Sequence, residues 1–222
     1  MPKFDVQMVL LNKTGTIRIL RTIYNQNQKT KTKMKKTIVV FAGLLLSAAS
    51  YAQTWSIDKG HSRVGFGITH LTINEIEGDF KSFDGKITSS KEDFSDATIE
   101  FSADVNSVNT DVEARDKHLR SADFLDAEKN PKLTFKSTSF KKESGKEYKV
   151  TGNLTLHGVT RPVTLTAVLV GKATNPMSKK EMAGFKITGN IKRTDFGIGA
   201  TMPETMLSEN VKLNANTEFS KD

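Results

Sequence analysis

Residues Tyr148–Leu169 read YKVTGNLTLHGVTRPVTLTAVL, and the spacing of apolar residues in this stretch decides the fold class. Tyr148, Val150, Gly152, Leu154 and Leu156 alternate with lysine, threonine and asparagine. After His157-Gly158 the same period of two returns at Val163, Leu165, Ala167 and Leu169. Side chains of a strand point alternately to its two faces, so each run has one apolar and one polar face. That is the signature of antiparallel strands with one side in water. His157-Gly158 is a turn signal. Arg161-Pro162 reads as part of the hairpin connection, because proline forces an extended residue before it.

The period of two extends in both directions along the chain. It appears at Val64, Phe66, Ile68 and His70, at Ile99, Phe101, Ala103 and Val105, and at Leu133 and Phe135. It returns at Phe185, Ile187, Gly189 and Ile191, and at Val211, Leu213, Ala215 and Thr217. Asp58-Lys59-Gly60, Asp84-Gly85, Ser144-Gly145-Lys146 and Asn175-Pro176 supply turn signals between runs. The pattern predicts an all-β chain of about eight strands, stacked as a sandwich or closed into a barrel that has no free sheet edges.

One stretch breaks the alternation: EARDKHLRSADFLDAEKNPKLTF, Glu113–Phe135. Thr110 followed by Glu113 has the spacing of a capping box. Val112, Leu119 and Ala122 fall near one helical face, a weak apolar stripe. Asp123–Asp126 opens a second short turn, and Asn130-Pro131 ends the segment. A short helical insertion between two strands is predicted.

The N-terminal region reads as a leader. Met34-Lys-Lys-Thr is a short basic start, Ile38–Ala49 an apolar core, and Ser50-Tyr51-Ala52 the small-residue pattern of a signal-peptidase site. Residues 34–52 are therefore expected to be a signal peptide cleaved near Ala52, and residues 1–33 a mis-called extension ahead of the true start. The apolar core, about 12 residues, is too short to span ~30 Å of hydrocarbon, so no transmembrane anchor is expected in the mature chain. Residues 1–52 hold 9 of the 33 basic and 1 of the 25 acidic residues, leaving 24 of each in residues 53–222. The net charge of +8 belongs to the leader. Nucleic acid is thereby excluded as an expected partner. There is no cysteine, so disulfides, thiol chemistry and cysteine metal sites are excluded.

No catalytic or cofactor motif stands out. His61, His70, His118 and His157 form no metal-ligand spacing, and structural or surface roles are expected for them, with no metal. Arg115, Asp116 and His118 resemble a catalytic cluster in composition. A buried Arg–Asp network holding the helix to a barrel end is the better reading. Trp55 is expected to plug the core. No nucleophile elbow or phosphate loop is present, so no enzyme activity and no cofactor are expected.

Five segments, in order, resemble the YceI-like family of secreted bacterial lipid- or polyisoprenoid-binding proteins. They are TWSIDKGHSRVGFGITHL, EGDFKSFDGKI, the Glu113–Phe135 stretch, GNLTLHGVTRPVTL and RTDFGIG. The resemblance spans residues 54–219, and Asn130 departs from the aromatic that commonly precedes this proline in the family. It implies an extended, lipocalin-like antiparallel barrel with a helix packed beside it. It also implies a long isoprenoid-type lipid, a polyprenyl or quinone, in an elongated apolar channel, and a periplasmic or secreted location.

Phe66, Ile68, Phe101, Phe135, Leu154, Leu156, Leu165, Phe185 and Ile187 are the candidate ligand-binding residues of the wall. Arg115 and His157 are candidate head-group or barrel-end contacts. The small residues Ala103, Gly152, Ala167, Gly189 and Ala215 are expected to leave a channel open. Alternation alone does not distinguish an open barrel from a filled one. A structural or protein-interaction barrel therefore stays as the alternative, with a metal-dependent hydrolase behind it. A homodimer is compatible with either reading.

Overall fold

The computed structural model describes residues 52–222. The expected extension and the expected signal peptide up to Tyr51 lie outside the described residues. The described chain is a closed antiparallel barrel of eight staves, three of them broken midway. Strands β1 (Gln53–Ile57) and β2 (Arg63–His70) make one broken stave, both lying along β11 (Leu207–Lys221). Strands β3 (Asn74–Phe80) and β4 (Phe83–Ser89) make the second, pairing with β2 and β1. Strands β5 (Thr98–Asp104) and β6 (Val108–Asn109) make the third, joined by a 3₁₀ turn over Val105–Ser107.

Strands β7 (Lys132–Ser144), β8 (Glu147–Leu156), β9 (Val159–Thr174) and β10 (Glu181–Lys192) then run as consecutive hairpins to β11. Pairing of β1 with β11, Trp55 opposite Lys221 and Ile57 opposite Phe219, closes the ring. Closure satisfies the backbone groups that an open sheet edge would expose.

The register puts the alternating residues on the inner face. Phe135 faces Leu154, Phe101 faces Phe135, and Leu213 faces Phe66 across neighbouring strands. The His157-Gly158 signal is confirmed as a two-residue hairpin loop, both residues in the left-handed region at φ 52° and 73°. These angles match the twist of the strands they join. Arg161-Pro162, read from sequence as part of that connection, belongs instead to β9, with Pro162 opposite Asn153. β10 pairs with β9 only from Leu165 onward, so the proline occupies a position where no second strand needs its missing N–H.

Asp84-Gly85, read as a turn, also lies within a strand: Gly85 of β4 pairs with Phe101 of β5. A Cβ at this position would come 3.3 Å from the Phe101 ring, so the glycine makes room for an aromatic rather than a bend.

The helical insertion is α1, Glu113–Arg120. Its expected capping box does not form. Val112 is the N-cap, with no side-chain bond. The Thr110 hydroxyl instead donates to Asp116 Oδ1 at 2.6 Å, and the Thr110 amide donates to the same oxygen at 2.8 Å. The expected apolar stripe is likewise not what seats the helix: Val112 and Ala122 are exposed. The segment is anchored by Leu119 and by the buried Phe124 and Leu125 just past the helix.

Candidate functional site

The two barrel ends are built differently. At one end the loop between β4 and β5 folds inward and places Phe94, 1% exposed, against Trp55 and Phe185. Both contacts are edge-to-face, at 5.2 and 5.3 Å between ring centroids. Phe219 extends the cluster from Phe185, and the Tyr148 hydroxyl donates to the Asp93 carbonyl. Asp96 ties the loop down, accepting from the hydroxyls of Ser89 and Ser90 and from the amides of Ser90 and Lys91. Partial burial would raise the Asp96 carboxyl, but these four donors outweigh it and hold the group well below the usual carboxylate range. This end is an aromatic plug. Trp55 belongs to it, as its sequence context suggested.

Between the plug and α1 lies a cavity of about 560 Å³, lined almost wholly by hydrocarbon. That volume falls within the ~300–1,000 Å³ of small-molecule sites. All nine candidate wall residues line it: Phe66, Ile68, Phe101, Phe135, Leu154, Leu156, Leu165, Phe185 and Ile187. Val64, Val150, Val163, Val211, Leu213 and Ala215 join them. These sit on the same alternating faces, so the signal that picked out the nine also contained the others. Met202 and Met206, on the loop before β11, and Phe124 and Leu125, after α1, also line the cavity. They come from irregular segments with no period to betray them.

The small residues divide into two kinds. Ala167 and Ala215 line the cavity and leave it room. Gly152 and Gly189 do not hold space open: a Cβ on Gly152 would lie 2.4 Å from the Phe135 ring, and one on Gly189 2.4 Å from Leu165 Cδ2. Larger neighbours occupy the volume that these glycines vacate.

Polar groups gather at the end opposite the plug. His70 and His118 line the cavity while being exposed to solvent, as does Met206, and together they mark its mouth. Arg115 lines it from α1, with Nε donating to Thr110 Oγ1 and Nη2 to the Thr110 carbonyl, both at 2.7 Å. The expected Arg–Asp network is therefore indirect, since Arg115 and Asp116 meet through Thr110.

Arg193, 2% exposed, donates to five backbone carbonyls, those of Ile198, Gly199, Met202, Leu207 and Ser208. It holds the 198–208 loop at the mouth. Nothing in its sequence context separated it from a surface cation. His157 does not reach the cavity: its Nδ1 lies 2.9 Å from the Phe196 carbonyl, a contact between two turns at the barrel end.

Ligand atoms of Asp58, His61 and Glu218 lie within 4.8 Å of one another, the one such cluster among the described residues. The Asp58–His61 hydrogen bond at 2.9 Å accounts for the arrangement, lowering the Asp58 carboxyl and raising the His61 imidazole. The cluster lies on the outer surface, away from the cavity lining. Among the described residues no helix is long and apolar enough to cross a membrane.

The barrel has counterparts among known proteins. Residues 55–219 match the YceI-like domain family. The Protein YceI of Salmonella newport (strain SL254) is 46% identical over 170 residues, covering 74% of this chain and 88% of that protein. The crystal structure of the Campylobacter jejuni YCEI protein superposes with a TM-score of 0.63 at 32% identity, covering 69% of this chain and 90% of that one. A polyisoprenoid binding domain from Saccharophagus degradans shares the fold at a TM-score of 0.55 and 16% identity, covering 77% of this chain and 99% of that one. The family match spans the whole barrel, from the plug tryptophan to the strand that closes the ring, and on that ground the chain belongs to the YceI-like family.

Proposed function

We propose that this protein is a non-enzymatic carrier that holds one isoprenoid-type lipid, a polyprenyl or quinone, inside its barrel. We further propose that it is exported by the leader at residues 34–52. The observation that carries the reading is the cavity: about 560 Å³ of hydrocarbon-lined space, closed by aromatics at one end and open at the other. A filled structural barrel needs no such volume, and empty apolar space is costly to keep.

Burying hydrocarbon yields ~0.8 kcal/mol per CH₂, hence ~4 kcal/mol per five-carbon isoprene unit. A few units offset the cost of association. The polyisoprenoid binding domain that shares this fold supports the ligand class. The nine alternating wall residues and the methionines of the mouth would provide the contact surface. Among the described residues no cluster of metal ligands lines the cavity, and its surface is almost wholly hydrocarbon, so the wall is suited to holding a lipid.

Displacement of a fluorescent lipid by geraniol, farnesol and geranylgeraniol tests this reading. Affinity is expected to rise more than tenfold with each added unit until the cavity is full. Equal, negligible displacement by all three would refute it.

A further inference from the structure

Resting on that lipid-binding reading, we infer that the preferred ligand carries an anionic oxygen head, a carboxylate or a phosphate, bound at the mouth by Arg115. The charge on the cavity wall is one-sided. Two arginines, Arg115 and Arg193, line it. The one acidic residue on the lining is Glu100, and its carboxylate is engaged elsewhere: it lies 2.8 Å from Lys86 Nζ and 3.0 Å from Lys136 Nζ. Those ammonium groups, Lys86 first, hold it below the usual carboxylate range.

Neither arginine has an ion-pair partner among the described residues. Arg193 has spent its five donors on neutral carbonyls, so it contributes positive potential but no free N–H. Arg115 is different. Thr110 takes its Nε and one Nη2 hydrogen, while Nη1 has no acceptor among the described residues. The neighbouring Asp116 could have neutralised it, but that carboxylate is held by the amide and hydroxyl of Thr110. Asp123, the nearest acid to the mouth histidines at 3.8 Å from His118 Nε2, is highly exposed and absent from the lining.

A half-buried guanidinium facing hydrocarbon without a counter-charge is costly, and an anion at that point relieves the cost. Charge-assisted bonds to a guanidinium are about twice as strong as neutral ones, and its fork matches the spacing of carboxylate and phosphate oxygens. The fold also fixes the polarity of the ligand. The cationic residues border the mouth, and the far end is the Phe94–Trp55–Phe185 plug. The head therefore sits beside α1, and the tail runs toward the aromatics. Arg193, behind it, reinforces the field at the mouth.

The test holds the tail constant and varies the head. Geranylgeranoic acid, geranylgeranyl phosphate and geranylgeraniol are compared at pH 8 for displacement of a neutral fluorescent lipid from the purified protein. At least one anion is expected to bind tenfold or more tightly than the alcohol, and which of the two is tighter identifies the head as carboxylate or phosphate. Arg115→Gln is expected to bring that ratio within threefold. Arg115→Lys, which keeps the charge and guards against a merely misfolded variant, is expected to retain a ratio above threefold. Alcohol binding as tightly as both anions, or Arg115→Gln keeping the full preference, overturns the inference while leaving the lipid-carrier reading in place. Failure of all three lipids to bind sinks both.

Discussion

Four donors from three consecutive residues, the hydroxyls and amides of Ser89, Ser90 and Lys91, converge on one carboxylate at Asp96. They keep its folded-state pKa below the ordinary aspartate value. A depressed acid stabilises the fold above its unfolded pKa and loses that contribution as the pH falls through the folded value. Asp96→Asn should therefore lower the urea midpoint at pH 7. The variant should also flatten the decline in stability that wild type shows on acidification below about pH 4. Urea titrations at pH 7, 4 and 3 read both effects, and an unchanged midpoint at pH 7 would contradict the assignment.

Residue by residue, the inner wall was legible wherever a strand was regular. Phe66, Leu154 and Ile187 announce their face by their spacing, because a strand has only two faces and one is wet. Thr110 was misread for the opposite reason. The spacing of Thr110 and Glu113 matches a cap, but the hydroxyl oxygen accepts from Arg115 Nε in place of a helix N–H, while its proton goes to Asp116. Arg193 was invisible as a structural centre because its partners are backbone carbonyls, which the identities of neighbouring residues do not reveal.

At the scale of elements, the inward loop between β4 and β5 does as much as any strand. Phe94 adopts φ 57°, a conformation that costs a bulky residue energy, and the aromatic contacts on its ring offset that cost. Phe94→Ala should destabilise the protein by about 3–5 kcal/mol, the range for truncating a buried phenylalanine. The single Trp55, packed edge-on against this ring, should report the change as a red-shifted emission in the folded state. A variant as stable as wild type, with unshifted emission, would show that the end is not plugged by this ring. No period marks the loop, so its role could not be read in advance. The α1 insertion was legible as an interruption because charge density replaced alternation there. Its seating through Leu119, Phe124 and Leu125 was not, since only Leu119 of that surface belongs to the helix.

For the whole molecule, alternation predicted a sheet with one buried face but could not say whether it closed. Closure depends on β1 reaching β11 across nearly the whole length of the described residues, a pairing with no local signature. Nor could alternation tell a filled barrel from a hollow one, because that depends on side-chain volumes summed across facing strands. Gly152 and Gly189 looked like space-makers and are filled by Phe135 and Leu165, whereas Ala167 and Ala215 do border open volume.

Ala167, 1% exposed in the middle of the wall, makes the hollowness testable. In a filled core, Ala167→Phe would cost about 1–3 kcal/mol through overpacking. Here the ring has space to enter. The variant should stay folded by circular dichroism with little loss in thermal midpoint, and lose lipid displacement at least tenfold. Wild-type lipid affinity in a folded variant would contradict the position assigned to the ligand.

That the barrel holds a lipid is measured most directly by native mass spectrometry of the protein purified from the cells that make it. Solvent extraction then identifies whatever is released. A protein mass increased by one lipid, with an isoprenoid tail in the extract, is expected. A protein that flies at its bare polypeptide mass, yields no lipid on extraction and takes up none when offered prenyl lipids would contradict it.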